Sequence, residues 1–124
     1  MAGTCTITEE TFGSMKKVKW VWKVDSGSAQ AAAASRTTTN VYNGAVQRLV
    51  TIPNGSSAPS ASYDVTVLDQ DSTDILMAGG TSRAAASTQQ VLAASLGVIA
   101  NDTMKLNCAS TGASAAGTVI VYIR

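Results

Sequence analysis

Between Met15 and Asp25 the chain reads MKKVKWVWKVD, and its large apolar residues recur at every second position. Val18, Trp20, Trp22 and Val24 share one parity, while Lys17, Lys19, Val21 and Lys23 share the other. A period of two belongs to a strand with one buried face, whereas a helix would throw the two tryptophans in widely different directions. A segment that can only be a half-buried strand needs partner strands, so an antiparallel sheet is the first constraint on the fold. The lysine face has two readings: a solvated outer face, as on an edge strand guarded against aggregation, or a contact surface for an acidic partner.

The same grammar continues from Gln47 to Leu76. A strand over 46–52 ends at Pro53-Asn54-Gly55, and a strand over 62–68 alternates Tyr63, Val65 and Val67 with Asp64, Thr66 and Leu68. An acidic turn spans Asp69 to Asp74 and leads into a short strand. Both prolines, Pro53 and Pro59, fall in the polar loop 53–61, where they close the strand and stiffen the loop. Upstream, Thr4–Thr8 reads as a first strand with Cys5 and Ile7 on one face, and Gly13-Ser14 as a break. Asn43-Gly44 is a turn signal. Downstream, Ser82–Leu96 reads either as a short helix, with a capping pattern at Ser87–Gln90 and Gly97 as terminator, or as a loop with a short strand. Asn101-Asp102 reads as a turn. Met104, Leu106 and Cys108 form one face of a further strand. The closing run 118–124, TVIVYIR, is apolar on both faces and suits the centre of a sheet.

Some seven strands with regular turn signals predict an all-β, antiparallel β-sandwich, jelly-roll-like or a small barrel, with at most one short helix. With 124 residues the chain is expected to form a single domain over 1–124. Residues 26–40, SGSAQAAAASRTTTN, are the exception to the pattern: an extended arm that orders on a partner, or a long connection.

Composition narrows function mainly by exclusion. Charged residues make up 14% of the chain and the net charge is +1, which gives no long-range attraction to nucleic acid or anionic membrane. No apolar run is long enough to span a bilayer as a helix. The amino terminus lacks a secretory pattern, so the chain is expected to be made in a cytoplasm and to keep Cys5 and Cys108 reduced and buried. There is no histidine, no Gly-x-Ser-x-Gly elbow and no phosphate-cradling glycine motif. A catalytic role and a bound cofactor are therefore not expected. Asp69, Asp71 and Asp74 have carboxylate spacing that a hard cation can use, but turn aspartates accepting backbone N–H bonds explain them without a metal. A single-stranded nucleic-acid groove fails because the lysines and the tryptophans face opposite ways.

The order RLVTIPNGSSAPSASYDVTVLDQDSTDILMAGG, then Ala84–Gln90, then MKLNCASTGASAAGTVIVYIR, resembles small virion structural proteins of tailed double-stranded DNA bacteriophages. The resemblance covers roughly 43–124 and rests on the YDVT…D…DIL stretch and on a terminal strand after a glycine-rich loop. Ser72-Thr73 stands where that pattern has a glycine before the aspartate. The resemblance implies a capsid decoration or cement protein in the virion, partnered by the major capsid protein and acting as a dimer or trimer. Its alternatives are a tail or head–tail structural protein, or a receptor- or carbohydrate-binding sandwich. Lys17, Lys19, Lys23 and Arg36 are the candidate partner-binding residues.

Overall fold

The computed structural model describes residues 4–24, 36–109, 111–112 and 114–124, so most of the 26–40 segment, including its alanine run, lies outside the described residues. The strands are β1 (Thr4–Phe12), β2 (Met15–Lys23), β3 (Arg36–Thr37), β4 (Tyr42–Pro53), β5 (Asp64–Leu68), β6 (Gln89–Leu92), β7 (Val98–Asp102), β8 (Lys105–Ala109) and β9 (Ala116–Ile123). They form two antiparallel sheets facing each other as a β-sandwich. The large sheet runs β1-β2-β9-β4-β6, with β7 also on β4, and the small one runs β3-β8-β5. The apolar-on-both-faces reading of β9 holds, since it sits centrally between β2 and β4.

The predicted faces explain the core. Val18, Trp20, Trp22 and Val24 are buried against Val65, Val67, Leu106 and Cys108 of the small sheet. The Trp22 and Tyr63 rings meet across the sandwich with centroids 5.9 Å apart and planes tilted by 48°. One end is closed by Glu9. Its carboxylate accepts hydrogen bonds from the Thr39 and Asn40 N–H groups, both at 3.1 Å, and from the Tyr42 hydroxyl at 2.7 Å. Burial, and then the Glu9 carboxylate, push the Tyr42 phenol well above the ordinary tyrosine range. A raised folded-state value means that stability is intact below the unfolded phenol's pKa, near pH 10, and falls as pH rises beyond it. Tyr42→Phe is expected to cost about 1.5–3 kcal/mol near neutrality, the worth of a hydrogen bond to a charged group. It should also flatten the alkaline loss, as read from urea midpoints between about pH 9 and pH 11.

Several local expectations are overturned. β2 is not an edge strand, because β1 and β9 flank it. Asn43-Gly44 is no hairpin turn but lies inside β4, at an irregularity in the pairing with β7. Gly44 has φ +133°, and a Cβ there would stand 2.5 Å from the Arg124 carbonyl oxygen. The Asn-Gly pair therefore serves a close approach of the carboxyl-terminal strand. Gly44→Ala is expected to cost about 3 kcal/mol through strain and overlap, measurable by chemical denaturation. The short strand after the acidic turn is absent, and residues 75–80 form turns apart from a single bridge between Leu68 and Asp74. Asn101-Asp102, read as a turn, instead forms the last two residues of β7, a strand the sequence reading missed. Of the two readings of Ser82–Leu96, the loop with a short strand is the one found: residues 87–90 lead into β6, and only a 3-10 turn at Ala93–Ser95 follows. Helix formation loses there because β4 offers Gln89–Leu92 a ladder.

Cys5 and Cys108 are both buried, as expected. Burial first, and the neighbouring Cys5 second, push the Cys108 thiol above the usual thiol range. Buried, protonated thiols are poor nucleophiles. Both are expected to resist a thiol reagent in native buffer and to react together on unfolding, which a timed labelling assay reads directly.

Candidate functional site

Strand parity carries one set of side chains to the core and the other to the outer surface of the large sheet. The register lines the outer set into rows across the strands. One row is Glu10, Lys17, Tyr122, Arg48 and Leu92, and the next is Thr8, Lys19, Ile120, Val50 and Gln90. Lys23 and Val21 extend the same face toward the other end of β2. Of the candidate residues from the sequence, Lys17, Lys19 and Lys23 are thus brought together on one rigid surface. Arg36 is not among them: its backbone pairs with Leu106 in the small sheet, and its side chain lies outside the described residues.

Arg48 joins the lysines, which the sequence reading did not foresee. Its guanidinium carbon sits 4.5 Å from the centre of the Tyr122 ring, and its Nη1 donates to Gln90 Oε1 at 3.3 Å. The signal was available, because Arg48 shares parity with Val50 and Ile52. Only the pairing of β4 with β9 shows that this parity faces outward. A bulge between Val46 and Arg48 resets the phase, so Val46 and Leu49 both point inward. Beneath the long side chains lies an apolar floor. Val50 and Ile120 are only 7% and 9% exposed, yet neither belongs to the inter-sheet core. Val21 remains 46% exposed, and beside it a depression of about 240 Å³ opens between Ile52, Asn54 and Thr118. A flat, pre-ordered sheet surface with cationic groups around apolar patches can bind a macromolecular surface, and it lacks the deep cleft that encloses a small substrate.

The acidic residues collect elsewhere. Asp69, Asp71 and Asp102 bring carboxylate oxygens within 4.8 Å of one another, whereas Asp74, the third member of the set expected from sequence, is turned away. The Asp74 carboxylate accepts from the N–H groups of Val67, Leu76 and Ala78 at 3.0–3.2 Å. Asp69 Oδ1 accepts from Asp71 and Thr73, and Asp102 Oδ2 from Gln70. These aspartates organise their turns, as the sequence reading expected. Asp102 entered the cluster unforeseen because it comes from β7.

No protein-family model and no curated protein matches this sequence. Among solved structures, the low-affinity xylan-binding module CBM86 from the xylanolytic gut symbiont Roseburia intestinalis is similar at a TM-score of 0.39 and 9% identity. The match covers 100% of this chain and 96% of that one. A likeness this slight says nothing about the chemistry of the outer face. No helix among the described residues is long and apolar enough to cross a membrane.

Proposed function

We propose that this chain is a non-enzymatic virion structural protein of a tailed double-stranded DNA bacteriophage, a decoration or cement protein that binds the major capsid protein lattice and stabilises the head. The observation that carries the reading is the outer face of the large sheet, where Lys17, Lys19, Lys23 and Arg48 surround an apolar floor on a surface fixed by four antiparallel ladders. A cement protein needs such a surface and no reaction centre: many weak, well-aligned contacts repeated over a lattice add up by avidity. The basic groups suit an acidic patch on the shell, and the exposed Val21 supplies apolar contact once water is excluded. The resemblance of residues 43–124 to phage virion proteins points the same way.

The sandwich-type carbohydrate-binding alternative needs aromatic rings offered to a sugar. Trp20 and Trp22 are 0% and 1% exposed, and the Tyr122 ring already carries Arg48 on one face. The tail or head–tail alternative makes the same use of the face at a different place. Antibody labelling of intact particles separates them: label spread over the head is expected, and label confined to the tail would refute the decoration reading.

A further inference from the structure

Away from the lysine face, two of the most exposed apolar side chains line one depression. Met77 is 67% exposed, and Val98, the first residue of β7, is 68% exposed. The depression measures about 410 Å³ and is walled by Ile75, Leu96 and Gly97. Gly97 keeps it open: a Cβ there would stand 2.9 Å from the Ile75 carbonyl oxygen and 3.2 Å from Met77 Cγ. Met77 is presented by a turn that its own preferences oppose. Met77 and Ala78 have φ of +51° and +64°, a left-handed conformation that bulky side chains rarely adopt. The Asp74 carboxylate holds the turn by accepting from the Leu76 and Ala78 N–H groups, both at 3.0 Å. The Gly97 N–H, donating to the Ile75 carbonyl at 2.9 Å, fastens it to the start of β7. Strain of this kind gathers at functional sites, and here its outcome is a long apolar side chain set in water. The charge around the depression is of one sign. Asp69 and Asp74 line it, and Asp71 and Asp102 bring their carboxylates close to that of Asp69. Among the described residues no lysine or arginine lines it. Lys105, opposite Leu68, has the outward parity of the small sheet.

We propose that this surface docks a basic polypeptide segment of another protein, which seats an aliphatic side chain between Met77 and Val98 and turns a lysine or arginine toward Asp69, Asp71 and Asp102. Charge complementarity selects that occupant, because an acidic or neutral segment would leave crowded carboxylates facing it uncompensated. Methionine suits the contact, since its unbranched, polarizable side chain adapts to the shape it meets. A second copy presenting the same patch would oppose two acidic clusters, which like-charge repulsion disfavours. A second copy presenting its lysine face would bring a flat sheet, which reaches into a walled depression poorly. The depression and the lysine face share no residue, so the proposal stands whether or not that face binds a capsid.

Amide chemical shifts of the full-length, nitrogen-15-labelled chain test it, with a capped heptapeptide alternating lysine and leucine as the probe and its glutamate-for-lysine counterpart as the control. At low salt the lysine peptide is expected to shift the amides of Met77, Gly97 and Val98 and to saturate at about millimolar concentration, as a small ligand on an open surface should. The glutamate peptide should bind at least about tenfold more weakly. Met77→Gln removes the apolar contact and should weaken the lysine peptide about fivefold. Asp71→Asn removes a carboxylate that organises no turn among the described residues, and should weaken it about threefold at low salt and less at high salt. Spectra unchanged away from the patch confirm the fold of each variant. Shifts that miss these three amides, equal binding of both peptides, or a Met77→Gln variant that binds like the wild type would overturn the proposal. Shifts at the same amides on concentrating the chain alone would give the surface to a second copy and overturn it as well.

Discussion

Trp22→Ala is expected to remove about 3–5 kcal/mol of unfolding free energy. A domain of ordinary stability has about 5–15 kcal/mol in total, so the variant should be marginal or unfolded. Trp22 is 1% exposed and is the side chain through which β2 meets Tyr63 of the opposite layer. Its indole lies over Gly117, where a Cβ would come within 2.8 Å of Cζ2 and 3.0 Å of Cε2. Truncation therefore opens a void between two sheets that cannot close without disturbing β9. The indole Nε1, however, is buried with no acceptor among the described residues. Trp22→Phe keeps most of the ring contact and deletes that unpaired donor, so it should cost clearly less than the loss of size alone implies. Gly117→Ala should be destabilising by about 1–3 kcal/mol through overpacking, and less so in the Trp22→Ala background. Urea denaturation followed by circular dichroism reads all four. Additive effects of Gly117→Ala and Trp22→Ala would contradict the packing described.

What the sequence made legible were the elements whose two faces differ in polarity. β2, β5 and β8 announced themselves because tryptophan, valine and leucine alternate with lysine, aspartate and asparagine, and burial in the sandwich rewards that pattern directly. β6 was legible only as one of two readings of its segment, and β7 was not legible. Their residues, QQVL and VIAND, have little alternation, and they are strands because β4 is long enough to pair with both. Asn43-Gly44 misled for a related reason: the dipeptide reports a need for unusual φ, and a carbonyl pressing on Gly44 creates that need as well as a hairpin does. The site was half legible. Lys17, Lys19 and Lys23 lie on one strand, so parity alone aligned them, whereas Arg48 and Tyr122 joined them only through the register of β2, β9 and β4. Asp102 likewise met Asp69 and Asp71 through tertiary structure.

Reversing Lys17, Lys19 and Lys23 together to glutamate is the functional change with the largest expected effect. The three side chains stand on the solvent side of β2, away from the core residues Val18, Trp20 and Trp22, so the fold should tolerate the change. At the contact, attraction becomes like-charge repulsion, which costs several kcal/mol at an interface. That corresponds to a loss of about a hundredfold in affinity for the shell at low salt. The loss should shrink as salt rises, because exposed charges more than about 8 Å apart are screened at physiological ionic strength. Reversing Lys105 and Arg83, on the small-sheet side, should leave binding unchanged and serves as the control for charge reversal away from this face.

The most direct measurement is a binding isotherm of the purified chain on intact phage heads, for the wild type and for the triple Lys→Glu variant, at low and at high salt. Wild-type binding is expected to be saturable and to weaken with salt, and the variant to bind about a hundredfold more weakly at low salt. Wild-type and variant isotherms that coincide at both salts, or heads that bind neither, would contradict it.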